Sequence, residues 1–220
     1  MPGSAIDKDA VNVRQHFHKT AHQFDSIYSG KKSTVARALD RLLRWDMQKR
    51  LEMTIAGCQP AEGKRILDVG CGTGRFCLPL AQQGAAQVIG IDFAENMIAE
   101  AQRLSRAANL DRVCQFQCCD ILDYQDDTKF DHVLAIGLFD YIKDGRNVLR
   151  KMRSLTNGAA LMTFPRSNTW RAPLRRIRLG ILGCPVYFYT EKRIRDHLVT
   201  AGFTVKRLEK VGELYFVEAL

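Results

Sequence analysis

The chain has 220 residues, 46% hydrophobic content and a formal net charge of +9. No apolar run approaches the roughly 20 residues that span a bilayer, which excludes a transmembrane protein, and the first residues carry no charged-then-apolar leader pattern. Seven cysteines, an odd number without a repeated spacing, argue against a disulfide framework, so one soluble, reduced, cytoplasmic domain with appendages is expected.

In chain order, residues 1–60 stand apart as an N-terminal extension. Near its start, His18 and His22 are four apart, a metal-ligand spacing on a helix, but only Asp25 could supply a third ligand. A general-base role for one histidine and a solvated or structural role remain open, and no metal is expected. A helix is predicted over Ser33–Ala56, with Val35, Leu39, Leu42, Leu43, Met47, Leu51 and Ile55 forming an apolar stripe and Gly57 as its stop. From Lys64 onward strands and helices alternate. Strands are predicted at Arg65–Val69, Gln87–Asp92, Arg112–Cys118, His132–Ile136, Ala159–Phe164, Thr204–Val211 and Leu214–Leu220. Helices are predicted at Gly74–Gln83, Glu95–Ala108, Gly145–Ser154 and Glu191–Ala201, with Gly84, Asn109, Asn157-Gly158 and Gly202 as stops. This order implies an α/β fold, a doubly wound and mostly parallel sheet of seven strands. The last two strands are joined only by Gly212-Glu213, too short for a crossover, so one strand near the edge must run antiparallel.

The first strand ends in Leu67-Asp68-Val69-Gly70-Cys71-Gly72-Thr73-Gly74, an acid followed by glycine at every second position. Such a loop turns tightly and lets a ligand approach backbone. The dinucleotide fingerprint needs a third glycine where Arg75 stands, and no Lys-Ser/Thr pair follows for a phosphate loop. Three further pieces follow at strand ends: Val88-Ile89-Gly90-Ile91-Asp92, Cys118-Cys119-Asp120-Ile121, and Phe130 to Gly137 opening into Leu138-Phe139-Asp140-Tyr141-Ile142. An acid closing the second strand can accept hydrogen bonds from both hydroxyls of a ribose.

With these four pieces, the chain from about Lys64 to Leu220 resembles the class I S-adenosylmethionine-dependent methyltransferases. The resemblance implies a Rossmann-like fold and S-adenosylmethionine as cofactor. It also implies that Asp68, Gly70, Cys71, Gly72 and Gly74 surround the cofactor's amino-acid part, with Asp68 toward the ammonium. Asp92 would hold the ribose, Phe93 and Ile121 would sandwich the adenine ring, Asp120 would address its amino group, Gly137 would lie at the methyl end, and Met97 would be a further cofactor contact. Asp140 and Tyr141 are then the candidates for orienting an acceptor, alongside His18 and His22. In related small-molecule enzymes, including those acting on quinones, lipids and porphyrins, such an N-terminal segment folds over the cofactor as a lid. Residues 61–220 would be the cofactor-binding domain, and the reaction a one-step in-line displacement onto an acceptor oxygen or nitrogen.

The segment 165–189 is basic and amphipathic. Trp170, Leu174, Ile177 and Ile181 share one helical face, and Arg171, Arg175 and Arg178 the neighbouring one, with Arg176 between them. No acid occurs from Gly145 through Thr190. It reads as a solvated cap, as a contact for an anionic or lipid-like substrate at a membrane surface or acidic carrier, or as a nucleic-acid surface. The net charge makes RNA methylation an alternative, but no RNA-binding module is appended. After the fourth predicted strand, Gly137-Leu138-Phe139-Asp140 stands in place of the Asn/Asp-Pro-Pro-Tyr/Phe run of related amine methyltransferases. A non-catalytic cofactor-binding scaffold is the remaining alternative.

Overall fold

A computed structural model describes residues 47–169 and 184–220, together with residues 172, 173, 176, 177 and 180. The elements in order are α1 (47–57), β1 (Arg65–Val69), α2 (Cys77–Gln82), β2 (Gln87–Asp92), α3 (Glu95–Ala107), β3 (Cys114–Cys118) and β4 (Phe130–Ala135). A 3-10 turn (Phe139–Tyr141), α4 (Arg146–Leu155), β5 (Thr156–Pro165), α5 (Glu191–Thr200), β6 (Val205–Val211) and β7 (Leu214–Ala219) follow.

The seven strands form one sheet in the order β3-β2-β1-β4-β5-β7-β6. β1, β2, β3, β4 and β5 pair in parallel, whereas β7 is antiparallel to both of its neighbours. The reversal at Gly212-Glu213 is therefore present, with β7 lying one strand in from the edge.

Period-two alternation sends successive residues of each strand to opposite faces. Leu67, Val69, Val133, Ala135, Met162 and Val217 meet Leu149 and Met152 of α4 and Ile194 and Leu198 of α5. Ile66, Val88, Leu134, Leu161 and Phe216 meet Met53 and Cys58 beside α1, Leu80 of α2 and Ile98 of α3. Met53, Cys58 and Ala61 thus share an apolar cluster with the sheet.

α1 meets the sheet through a rotated face. Met53, Thr54 and Cys58 are buried, whereas the predicted stripe residues Leu51 and Ile55 are only half-buried and line a shallow surface groove with Pro79. The cause is Gly57, which is a contact and not merely a stop. A Cβ there would lie 2.3 Å from Leu161 Cδ2, so the backbone of the helix lies directly on β5.

Several strand and helix ends move by one to three residues, and two of the shifts have a local cause. The helix predicted from Gly74 starts at Cys77, because Gly74 has φ +80° and cannot be helical. Asn157-Gly158 is not a stop but part of β5, inside a register irregularity between the β4–β5 pairs Phe130–Thr156 and His132–Ala159. Glycine is needed there because a Cβ at 158 would fall 2.1 Å from the Asp131 carbonyl oxygen. Among the described residues no helix is long and apolar enough to cross a membrane.

Candidate functional site

The four motif segments all leave the C-terminal ends of β1, β2, β3 and β4, which are consecutive neighbours in the sheet. The crevice beyond the strand ends is where open α/β sheets bind ligands.

The glycine loop forms its floor. Gly70, Gly72 and Gly74 have φ of +72°, +53° and +80°, a region that residues with a Cβ adopt only under strain. Each glycine has a different surrounding. A Cβ at Gly70 would lie 3.0 Å from Leu138 Cδ1 and one at Gly74 2.9 Å from Phe116 Cζ, while one at Gly72 would meet none of the described residues within 4 Å. Two of the glycines therefore press the loop onto protein, and the middle one opens its backbone to a ligand. The loop hangs from β2, since the N–H groups of Gly70 and Cys71 donate to the Ile91 carbonyl at 2.8 and 3.1 Å.

Asp92 joins that loop to the next. Its Oδ2 accepts the Gly72 N–H at 3.0 Å and its Oδ1 accepts the Ala94 N–H at 2.9 Å. The Phe93 N–H is a third backbone donor to this carboxylate, whose two oxygens together offer about four acceptor sites. Burial pushes the Asp92 carboxyl above the ordinary range, against the lowering effect of these backbone bonds.

Asp68 lies behind the loop, 1% exposed. The Cys77 thiol, at the start of α2, donates to its Oδ2 at 3.4 Å, and Cys77 is itself hydrogen-bonded to the buried Cys71 thiol. Burial raises the Asp68 carboxyl to about 7, the Cys77 hydrogen bond opposing it. That thiol–thiol hydrogen bond, then burial and Asp68, holds the Cys77 thiol well above its usual range, and burial with Asp68 raises the Cys71 thiol against the lowering effect of the same bond. These two cysteines are protonated packing groups.

On the far side, Phe93 packs half-buried against buried Ala94 and Met97. Ile121 is buried in the main core, whereas Asp120 is exposed, with one oxygen accepting the Leu122 N–H at 2.8 Å. The β3 exit is tied to β2 by the Cys119 N–H, which donates to the Asp92 carbonyl at 3.1 Å.

The fourth wall is the β4 exit. Gly137 has φ +86°, and its N–H donates to the Thr163 hydroxyl at 2.8 Å. The Arg50 guanidinium, from α1, comes within 3.8 Å of where a Gly137 Cβ would stand. Of the two acceptor-orienting candidates, Asp140 is 2% exposed, and its carbonyl accepts the Tyr187 N–H at 2.8 Å; Tyr141 is only half-buried. The geometry leaves Tyr141 the more accessible. His18 and His22 lie outside the described residues, as do Arg171, Arg175 and Arg178. Among the described residues no cluster of His, Cys, Asp and Glu could hold a metal ion.

Arg50, Thr163 and Tyr187 approach the site without belonging to any motif. Arg50 had a faint signal, a basic residue one turn from Met47 on the inward side of an amphipathic helix.

Residues 60–176, more than half of the chain, match the family described as methyltransferase domain. The chain belongs to that family. Over 175 residues it is 26% identical to a ubiquinone biosynthesis O-methyltransferase from Bradyrhizobium diazoefficiens, covering 78% of this chain and 66% of that protein. Over 126 residues it is 31% identical to norajmaline N-methyltransferase from Rauvolfia serpentina, covering 56% of this chain and 40% of that one. The chain thus spans less than two thirds of the length of either relative. Among solved structures, it superposes on magnesium protoporphyrin IX methyltransferase from Synechocystis, which has bound SAH, with a TM-score of 0.79. That match has 23% identity and covers 96% of this chain and 99% of the other, so it shows the class I fold.

Proposed function

We propose that this methyltransferase-family chain transfers a methyl group from S-adenosylmethionine to an oxygen, or a nitrogen, of a small apolar or anionic acceptor. The observation that carries the reading is the cradle of three left-handed glycines, open at Gly72 and bridged to the next loop by Asp92. The named relatives, which are small-molecule methyltransferases, support the class of acceptor.

The residues present fit the cofactor. Asp92, at the end of β2, keeps acceptor capacity for a ribose hydroxyl beside its backbone donors, and the exposed Asp120 can address an adenine amino group. Phe93, Met97 and Ile121 supply apolar walls. At the amino-acid end the charges are paired in sense, with Asp68 for an ammonium and Arg50 for a carboxylate. When bound, S-adenosylmethionine supplies a methyl group on a positively charged sulfur. The protein's part is alignment and the exclusion of water. Leu138 and Gly137 line the wall where an acceptor would meet the methyl, and the Tyr141 hydroxyl is the nearest accessible group to orient it. His18 or His22 would serve as base if the N-terminal residues close over the site.

Contact with an anionic surface or carrier through Arg171, Arg175, Arg176 and Arg178 is a finer proposal. It is supported by Ile177, 62% exposed, beside Arg176, whose guanidinium stacks 5.3 Å from the Phe188 ring centre.

The test is incubation of the protein and methyl-labelled S-adenosylmethionine with an extract of the native host, followed by partition. Label in the organic phase is the expected result. Label confined to an RNase-sensitive precipitate would mean RNA is the acceptor. No transfer, despite cofactor binding, would leave a cofactor-binding scaffold.

A further inference from the structure

We infer that Thr163, on β5 and outside every motif, is a positioning residue for methyl transfer that acts through the Gly137 peptide. The inference rests on the methyltransferase reading above. The regular β4–β5 ladder ends at the pair Ala135–Met162. Two residues later the chain leaves the sheet at Gly137, whose φ of +86° turns the backbone toward the cleft. Its N–H is then taken by a side-chain oxygen, Thr163 Oγ1 at 2.8 Å, in place of a strand carbonyl. Thr163 is fully buried, with 0% exposure, so water has no access to replace that acceptor. β5 is itself paired on both edges, and Thr163 stands opposite Phe216 of β7. The hydroxyl is therefore presented from a rigid interior strand.

What this bond holds is a spacing across the cleft. A glycine can turn its peptide in ways other residues cannot, so Gly137 needs an external restraint to keep one orientation. The next residue, Leu138, approaches Gly70 of the cofactor loop so closely that a Cβ there would lie 3.0 Å from Leu138 Cδ1. The connection runs from Thr163 to Gly137, to Leu138, to the glycine loop. It sets the distance between the wall that faces the acceptor and the floor that faces the donor. Catalysis that relies on alignment is sensitive to this distance, since a displacement of about 1 Å is enough to slow such a reaction on the order of a hundredfold.

The test compares Thr163→Val, which keeps the shape and removes the acceptor, with Thr163→Ser, which keeps the hydroxyl. Two quantities are read. One is the methyl resonance of carbon-labelled S-adenosylmethionine bound to each protein, and the other is the S-adenosylhomocysteine dissociation constant by calorimetry. In Thr163→Val the bound methyl resonance should move toward that of the free donor and broaden, with affinity changed less than about threefold because the cradle itself is intact. Thr163→Ser should restore the parental resonance. An unmoved resonance in Thr163→Val overturns the inference, whatever the affinity does. A parent protein that gives no bound resonance at all overturns the methyltransferase reading instead. If Thr163→Val does not fold, Thr163→Ala is read by the same two quantities.

Discussion

Replacing Asp92 by asparagine separates the two tasks assigned to that side chain. In the structure both carboxylate oxygens accept a backbone N–H, from Gly72 at 3.0 Å and from Ala94 at 2.9 Å. Asparagine has one carbonyl oxygen, so in either flip one of these N–H groups loses its acceptor and faces an NH2. Hydrogen bonds to charged groups contribute about 1.5–3 kcal/mol each, which would argue for a large loss of stability. Burial opposes that loss. It raises the Asp92 carboxyl in spite of its backbone bonds, so removing the charge recovers desolvation energy of comparable size. The net change in unfolding free energy should therefore stay within about 1 kcal/mol. No such offset applies to the cofactor, whose ribose would lose a charged, two-oxygen acceptor. A loss of about 2–3 kcal/mol corresponds to roughly 30- to 150-fold weaker S-adenosylhomocysteine binding. Chemical unfolding and titration calorimetry on parent and variant read the two quantities. Affinity within threefold of the parent refutes the ribose assignment. A stability loss of about 3 kcal/mol or more refutes the cancellation argued from burial, and shows that Asp92 is mainly a scaffold for the loop.

Asp68 should make the cofactor-free protein sensitive to pH. Its folded carboxyl titrates at about 7 against an ordinary 3.8, so between those values the folded state holds a proton that the unfolded chain has lost. Asp68 thus lowers stability progressively as pH rises from about 4 to 7, by up to ~4 kcal/mol, and no further above that. The difference in unfolding free energy between Asp68→Asn and the parent should follow that curve; a flat difference would contradict it. If the cofactor ammonium sits beside Asp68, binding at pH 6 should release about one proton, read by calorimetry in buffers of different ionisation enthalpy. Gly72→Ala and Gly158→Ala should behave oppositely. The first places a methyl group in the open side of the cradle and should weaken S-adenosylhomocysteine binding more than about tenfold, at ~1–2 kcal/mol of backbone strain. The second drives a Cβ into the Asp131 carbonyl and should destabilise by about 2–3 kcal/mol while leaving affinity alone. Arg50→Gln should weaken S-adenosylhomocysteine binding about tenfold with little change in melting, and equal affinity would remove Arg50 from the cofactor's carboxylate end.

The sequence located most strands because buried parallel strands are short apolar runs bounded by glycine or acid. Arg65–Val69 and Gln87–Asp92 end where the pattern ends, and the Gly212-Glu213 link alone dictated the reversed strand. The crevice that the motif segments share was legible for the same reason, since those segments sit at strand ends at fixed spacing. Pattern failed where a residue's role depends on what lies across from it. Asn157-Gly158 has the composition of a turn, but Gly158 is required by the Asp131 carbonyl opposite. The stripe at Leu51 and Ile55 is real as a periodicity, yet Gly57 against Leu161 rotates α1 away from it. Arg50 and Thr163 are distant in sequence from Gly137, and only the packing of α1 and β5 brings them to it. The burial of Asp140, to 2% exposure, had no signal in the motif, because a residue that follows a strand end can face either the crevice or the core.

The position of β7 has a consequence for how the chain reaches this state. β7, which follows the other six strands in the chain, lies between β5 and β6, with neighbours on both sides. Until it arrives, β5 is an open edge whose residues Ala160, Leu161, Met162 and Phe164 are all fully buried in the finished protein. Unpaired apolar edges of this kind template association with other chains. During synthesis the crevice built from β1 to β4 can therefore form before this apolar edge is covered. The β6–β7 hairpin closes that window, and its docking rate should govern yield more than the stability of the cleft does.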